Sequence, residues 1–385
     1  MKLLFAVDHI FTATPDGAVY TTGGKFPYSA WESYLEVFNS VEVISRGVKR
    51  DAAGNLARSD GRGVEFSFVP GSRGLRRIAS IPEHISTVRS AVARADCVVA
   101  RLPSETALMA CAIAHSTGKP YLVELVACPW DALWHHGSLA MKAYAPVLAG
   151  FTRLATLQAP AVRYVTQSFL QGRYPTRGKE FVASNVMLMR PGSPRKYVKS
   201  NPITFGTIGA LHTKLKGIDV AMTALAEVRR RRPDANIEYR VLGEGDPEPF
   251  MRIASELGMA DRVHFDGMRT PGDAVAEWLG TLDFYLQPSF QEGLPRALIE
   301  AMNTGLVSIG STAGGIPELL PDNRVHAPGD SARLSQLMEV LLSLSPDDLN
   351  SESERNYLVA QNYALSRVTE KRLNSLKFLA QMAQK

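Results

Sequence analysis

The sequence predicts an α/β protein built of two doubly wound domains, and three observations carry that prediction. Short apolar runs suited to buried strands alternate with helix-period segments through most of the chain. At 385 residues the chain exceeds the size at which a single hydrophobic core keeps growing. Residues 190–202, RPGSPRKYVKSNP, interrupt the alternation with Pro, Ser and positive charge, as an inter-domain linker does. The expected division is 1–190, a linker at 191–202, a second domain at 203–365 and a closing helix at 366–385.

Composition narrows the class further. Hydrophobic content of 45% and charged content of 21% are those of a soluble globular protein. MKLLFAV passes straight into Asp8–His9, so no signal peptide is expected. The most apolar run, Ala143–Thr152, lies between Lys142 and Arg153 and is too short to span a bilayer. The 3 cysteines, Cys97, Cys111 and Cys128, have no metal-ligand spacing and read as reduced thiols, which suits a cytoplasmic protein. Net charge is +5, but residues 1–200 hold 24 basic and 14 acidic residues, 24 − 14 = +10. The remainder holds 43 − 24 = 19 basic and 38 − 14 = 24 acidic residues, or −5. A basic N-terminal half suits an anionic partner, either a membrane surface or a phosphorylated acceptor. No nucleic-acid module surrounds the basic residues, so nucleic acid is not expected.

In the N-terminal half, Lys2–Val7 reads as a buried strand, followed by a long loop with Gly17, Gly23 and Gly24. Such a loop lets backbone approach a phosphate, although GxGxxG is missing; a plain surface loop is the other reading. A helix through Trp31–Phe38 leads to strands Val41–Ser45 and Val64–Val69, then to Arg73, Arg76 and Arg77 at a loop and helix start. Asp96–Arg101 is a strand, Pro103–Thr117 a helix and Tyr121–Val126 another buried strand. Cys128-Pro-Trp-Asp-Ala-Leu-Trp-His-His follows, where Asp131 reads as a helix cap or a site acid, and His135 and His136 as surface residues. Strand Val162–Thr166, helix Ser168–Tyr174 and strand Phe181–Ser184 complete the half.

The C-terminal half begins with strand Ile203–Gly209, and a helix with Ile218, Ala221, Leu225 and Val228 on its inner face starts just past Lys216–Gly217. Lys216 near that helix start doubles the positive potential at a point suited to a diphosphate. Strand Ile237–Leu242 runs into Gly243-Glu-Gly245, and strand Val263–Gly267 into Met268–Arg269. The central stretch is 287–318, QPSFQEGLPRALIEAMNTGLVSIGSTAGGIPE. It reads as a strand end, a turn at Phe290–Gly293, a helix from Pro295 capped by Gly305, strand Leu306–Gly310, turn Gly314–Gly315 and a further helix opening at Pro317–Glu318. Backbone N–H groups at Gly293 and Leu294 and the helix N-terminus suit an anion or a set of hydroxyls. Glu292 can accept from a polyol there, and Glu300 from a second polar group, as a ribose would be; two solvated glutamates are the other reading. A helix at Ser331–Leu344, with Leu334, Leu337, Val340 and Leu341 inward, and a terminal helix at Val368–Met382 close the chain.

Taken whole, the 287–318 string closely resembles the donor-site signature of retaining family-4 glycosyltransferases. In that family two glutamates eight residues apart flank a Gly-rich turn and helix, followed by a small-residue strand and GGxPE. The resemblance implies a GT-B architecture: two Rossmann-like domains facing across a cleft, with the last helix crossing back to the first. It implies transfer from a nucleotide-diphosphate sugar, a UDP-sugar preferred over GDP-mannose, to a glycan or lipid-linked acceptor of a bacterial surface polysaccharide. Glu292, Asp131 and Lys216 are the candidates for catalysis. The implied donor set is Gly17, Gly209, Lys214, Lys216, Gly243, Gly267, Arg269, Glu292, Gly293, Leu294 and Glu300. No Asp-x-Asp motif occurs, so no metal or other cofactor is expected. The family's arginine position holds Ala210, with Lys214 as the substitute cation, and the family's histidine after the Tyr121–Val126 strand has no match. Several members dock on membranes through a basic part of the first domain, so peripheral contact at the inner face of the cytoplasmic membrane is a further expectation. A non-catalytic sugar-nucleotide-binding subunit, or another GT-B enzyme such as an epimerase, is the alternative.

Overall fold

The computed structural model describes residues 1–21, 25–70, 80–135, 138–198 and 200–385. Gly23, Gly24, Arg73, Arg76, Arg77 and His136, singled out above, lie outside them. The chain divides into two units, Met1–Ala183 with Thr369–Lys385, and Ser184–Val368.

The first unit is a mainly parallel sheet. Its strands are β1 (Lys2–Ala13), β2 (Val19–Thr21), β3 (Ser40–Lys49), β4 (Ala57–Arg58), β5 (Val64–Val69), β6 (Cys97–Leu102), β7 (Tyr121–Leu125), β8 (Ala161–Tyr164) and β9 (Lys179–Val182). The parallel order β5-β3-β1-β6-β7-β8-β9 reverses between β1 and β6, the doubly wound pattern expected from the alternation. The short β2 pairs antiparallel with Thr12 and Ala13 at the end of β1, and β4 pairs antiparallel with β2. The helices are α1 (Glu32–Leu35), α2 (Ile81–Arg94), α3 (Glu105–Ser116), α4 (Pro129–Trp134), α5 (Leu139–Gln158) and α6 (Phe169–Arg173).

β1 does not stop at Val7. Its pairing with β3 is interrupted between Ala6 and Ile10 and then resumes through Ala13. The chain turns back at Thr14–Gly17, where the Gly17 N–H donates to the Thr14 carbonyl at φ +84°. Gly17 is thus accounted for by a hairpin turn rather than by a strand-to-helix phosphate loop.

The last seventeen residues, Thr369–Lys385, belong to this first unit. Leu376, Leu379 and Ala380 pack against Leu3, Phe5 and Val99 on one face of the sheet. On the same face, register sets Arg101, Glu124 and Arg163 side by side on β6, β7 and β8. Oε1 of Glu124 lies 2.8 Å from Arg101 and 3.2 Å from Arg163. Fully buried Arg163 also donates to the Ser375 hydroxyl at 2.8 Å, so the charged row holds the terminal helix as well as the sheet.

The second unit is a six-stranded parallel sheet of order β12-β11-β10-β13-β14-β15. The strands are β10 (Ile203–Ile208), β11 (Ile237–Leu242), β12 (Val263–Phe265), β13 (Phe284–Gln287), β14 (Val307–Ser311) and β15 (Val325–His326). Its helices are α7 (Ile218–Arg231), α8 (Glu248–Glu256), α9 (Asp273–Gly280), α10 (Arg296–Asn303), α11 (Ser331–Ser343) and α12 (Pro346–Ala360); α13 (Leu365–Ala383) begins here and continues into the first unit. The expected inner face of α7 is buried at Ile218, Ala221, Leu225 and Val228. On α11, Leu334, Leu337 and Leu341 face inward, but Val340 is exposed and Met338 takes its place in the core. Pro295 is the N-cap of α10 rather than its first residue, and Pro317–Glu318 forms only a 3-10 turn, Ile316–Glu318. Gly305 closes α10 at φ +72°, the left-handed conformation its position predicts.

The stretch after Ala183 is part of this unit, not a loose tether. Val186 and Leu188 join its core. Tyr197 is buried, donates to the Asp283 carbonyl and accepts from the Val307 N–H. Arg195 bonds the carbonyls of Leu282 and Gly280. Proline and charge suggested a linker because they disfavour helix, yet the same residues serve as an extended strap across strand ends.

Candidate functional site

The strand order of the second unit reverses between β10 and β13, and ligands of open α/β sheets bind beyond the strand ends at such a point. The loops leaving β10, β11, β13 and β14 are stitched together there by backbone bonds. Gly209 N–H donates to Leu242, Leu211 to Glu244, Gly243 to Gly267 and Phe290 to Leu215. Gly217 takes φ +65°, and a Cβ on it would lie 2.1 Å from the Pro288 carbonyl. Gly314 takes φ +59°, and a Cβ there would lie 2.2 Å from the Glu292 carbonyl. Only glycine permits either close approach. The Gly315 N–H completes the stitch by donating to Gly293 at 2.7 Å.

Glu292 is the polar centre of this arrangement. Its carboxylate is almost fully buried, and Oε1 accepts from Lys216 Nζ at 2.7 Å, Ser289 Oγ at 2.8 Å and Gln287 Nε2 at 2.9 Å. Among the described residues, all three of these bonds fall on Oε1 and none on Oε2. A second row supports the first: the Tyr285 hydroxyl donates to Gln287 Oε1 at 2.8 Å and accepts from the Ile208 N–H at 3.3 Å. Burial, together with the nearby Glu292 and Glu300 carboxylates, pushes the Tyr285 phenol well above its ordinary range. It is a neutral hydroxyl at any working pH, able to donate and accept at once.

Glu300 lies on α10, half-buried, and burial raises its carboxyl above the usual value against the opposing pull of Arg296. The two glutamates named from their eight-residue spacing both raise the same buried phenol. Lys214 is exposed at the start of the 3-10 turn Lys214–Lys216, and half-buried Ala210 lies in the same loop. Gly267 and Arg269 are exposed in the loop after β12. Among the described residues, no three His, Cys, Asp or Glu side chains gather as metal ligands would.

Other expected site residues have other surroundings. Gly17 and Asp131 are in the first unit. Asp131 stands in the first turn of α4 and does not cap it; Cys128 is the N-cap, its sulfur accepting from the Asp131 N–H. The Asp131 carboxylate is engaged by Arg173 at 2.7 Å. Tyr285, Gln287 and Ser289 were not read from the sequence as site residues. The available signal was a glutamine ending an apolar strand, FYLQ.

The family described as Glycosyl transferases group 1 matches residues 202–343. Over 344 residues the chain is 30% identical to Protein CapJ of Staphylococcus aureus, an alignment spanning 88% of this chain and 85% of that one. The chain belongs to the group 1 glycosyltransferases. This glycosyltransferase is also 32% identical over 140 residues to the amylovoran biosynthesis glycosyltransferase AmsK of Erwinia amylovora, 34% of each chain. The crystal structure of Anabaena Alr3699/HepE in complex with UDP superposes with a TM-score of 0.65 at 17% identity, over 98% of this chain and 100% of that one. The glycosyltransferase has the GT-B fold of such neighbours.

Proposed function

We propose that this glycosyltransferase moves a sugar, with retention of anomeric configuration and without a metal, from a nucleotide-diphosphate sugar to a glycan or lipid-linked saccharide in bacterial surface polysaccharide synthesis. The observation that carries the reading is the Lys216–Glu292 pair at the switch point of the second sheet. Glu292, with the Gly293 and Leu294 N–H groups, holds the sugar hydroxyls; Glu300 holds the ribose. Lys216, aided by Lys214 and the start of α7, meets the charge that grows on the diphosphate as the glycosidic C–O bond breaks. The acceptor oxygen bonds to the anomeric carbon on the face the diphosphate leaves, and its proton passes to a donor phosphate oxygen. Arg269 covers the base. UDP is the preferred nucleotide, which the UDP complex of HepE favours, and GDP-mannose the alternative donor. AmsK, named for amylovoran biosynthesis, supports the polysaccharide setting.

Ala210 favours a second reading, a sugar-nucleotide-binding subunit without turnover, because a lysine supplies point charge but not a guanidinium's fork. Thermal unfolding with UDP, GDP, ADP and their sugar conjugates tests the donor site. Ligand at a hundredfold excess over its Kd stabilises by about 2.7 kcal/mol, which a melting curve resolves. A shift with one nucleotide family supports the reading and names the base; no shift with any removes it. Slow hydrolysis of the stabilising sugar conjugate separates enzyme from binding subunit.

A further inference from the structure

β15 is two residues long and lies at the edge of the second sheet, yet the turn that carries Glu292 leans on its surroundings at two points. The first runs through β14. Ser311 pairs with His326, and the Thr312 N–H donates to the His326 carbonyl at 2.8 Å. The Ser311 hydroxyl donates to the Ser289 carbonyl at 2.6 Å, and Ser289 in turn serves Glu292. The second runs through Phe290, whose ring closes on Gly329; a Cβ at Gly329 would lie 3.1 Å from that ring. Gly329 belongs to a turn in which the Ala327 carbonyl accepts from the Asp330 N–H at 3.1 Å. The same carbonyl lies 2.8 Å from His326 Nδ1.

His326 thus joins both supports, and it is only 2% exposed. A carbonyl can only accept, so Nδ1 holds the ring proton and Nε2 the lone pair. Nε2 is buried and has no hydrogen-bond partner among the described residues. An orphaned acceptor is a modest cost, but a second proton would put an unpaired cationic donor in the same place, which costs more. The surroundings do little to offset that charge. β14 and α11 are the elements packed most closely on β15. β14 carries no charged residue, while on α11 Arg333 bonds Gln336 and Glu339 is taken by Arg231. Arg324, just before β15, is taken by Glu352. Asp330 does favour the cation, but burial outweighs it and holds the imidazole below its usual value. A protonated ring is better placed in water, and a two-residue edge strand opens easily.

We propose that His326 is a positioning residue for the donor site and makes donor binding sensitive to acid. Neutral, it holds the Glu292 turn through Ser311 and Gly329; protonated, it leaves its place and the turn loosens. The inference rests on the donor assignment made above. Binding of UDP, GDP and ADP is measured by calorimetry at about pH 8 and about pH 5 on wild type, His326→Asn and His326→Gln, whose amides do not titrate there. Protonation of the nucleotide itself is common to all three proteins and cancels in the comparison. Between the two pH values wild type is expected to lose at least about threefold more affinity for the bound nucleotide than either variant. By reciprocity the nucleotide should lower the midpoint at which the wild-type His326 ring titrates in proton NMR, a readout that needs no variant. A parallel loss in wild type and variants, or a ring midpoint that the nucleotide does not move, overturns the proposal and leaves the donor site standing. Wild type that binds none of the three nucleotides at either pH removes the donor assignment, and the proposal with it.

Discussion

The Lys216 ammonium stands 2.7 Å from Oε1 of Glu292, the same oxygen that Gln287 and Ser289 serve. Lysine, glutamine and serine thus fix one oxygen of the carboxylate and orient the other. Glu292→Gln keeps the shape but replaces an acceptor with an amide that cannot take all three bonds as the carboxylate does. Transfer should fall about 10²–10³-fold, the usual loss for a preorganised polar group at the reacting centre, with UDP affinity nearly unchanged. Lys216→Ala should act on both, weakening UDP by about tenfold through a lost charged hydrogen bond. Calorimetry with UDP and initial rates with the stabilising donor separate the two effects; a Glu292→Gln enzyme of undiminished rate refutes the assignment.

Gly314 tests whether the turn after β14 sets the position of Glu292. Alanine at Gly314 meets two obstacles, φ of +59° and the Glu292 carbonyl 2.2 Å from the new methyl. Gly258 is a matched control: φ is +67°, with nothing within 4 Å of a Cβ. Both alanine variants bear a left-handed backbone cost of about 1–2 kcal/mol. Only Gly314→Ala must also displace the backbone of Glu292, so it alone should lose donor binding. Equal donor affinity in the two variants would show that the turn can move without consequence.

The buried row of the first unit has a pH signature. Burial alone would raise the Glu124 carboxyl, but Arg101, Arg163 and Arg372 outweigh it and pull the value down to about 2. The stabilisation is complete above the unfolded carboxyl value, near 4.5, and is lost as pH falls toward 2. Its full size is about 3 kcal/mol by that linkage. Glu124→Gln leaves Arg163 buried with its charge unopposed and should cost about 3–5 kcal/mol at neutral pH. Urea unfolding should show that deficit shrinking from about pH 5 downward. A deficit independent of pH would mean that packing, not charge, holds the row.

These particulars mark what a one-dimensional reading could reach. Lys216, Glu292 and Glu300 were legible because strand end, glycine turn and helix start follow one another in the chain, and Gly305 and Gly314 do take the positive φ their positions suggest. Tyr285, Gln287 and Ser289 were not, because they occupy what reads as one apolar strand; Tyr285 meets the Ile208 N–H only when β13 pairs with β10, and Gln287 and Ser289 reach Glu292 only once the turn between them folds. Arg101, Glu124 and Arg163 are far apart in sequence and become neighbours only through strand register. The helix α5 went unassigned because a segment apolar on both faces has no polar-apolar period to detect. Residues 191–198 misled for the converse reason: Pro and charge deny a helix but not an ordered extended strap.

Glu300 separates binding from stability. Burial raises its carboxyl above the ordinary range, which means the folded protein holds that charge at a cost when no ligand is bound. Native protein therefore binds protons more readily than unfolded chain there, and stability should fall as pH rises through this carboxyl's titration. Glu300→Gln removes the charge while keeping the size, so the ligand-free variant should melt at or above the wild-type temperature. If Glu300 receives the ribose hydroxyls, the same variant should bind UDP about tenfold more weakly, because hydrogen bonds to a charged group are the stronger ones. Melting curves with and without UDP should then cross, the variant higher when empty and wild type higher when saturated. A variant less stable when empty, or one that gains the full UDP shift, would make Glu300 a structural residue of α10 and return the ribose to some other group.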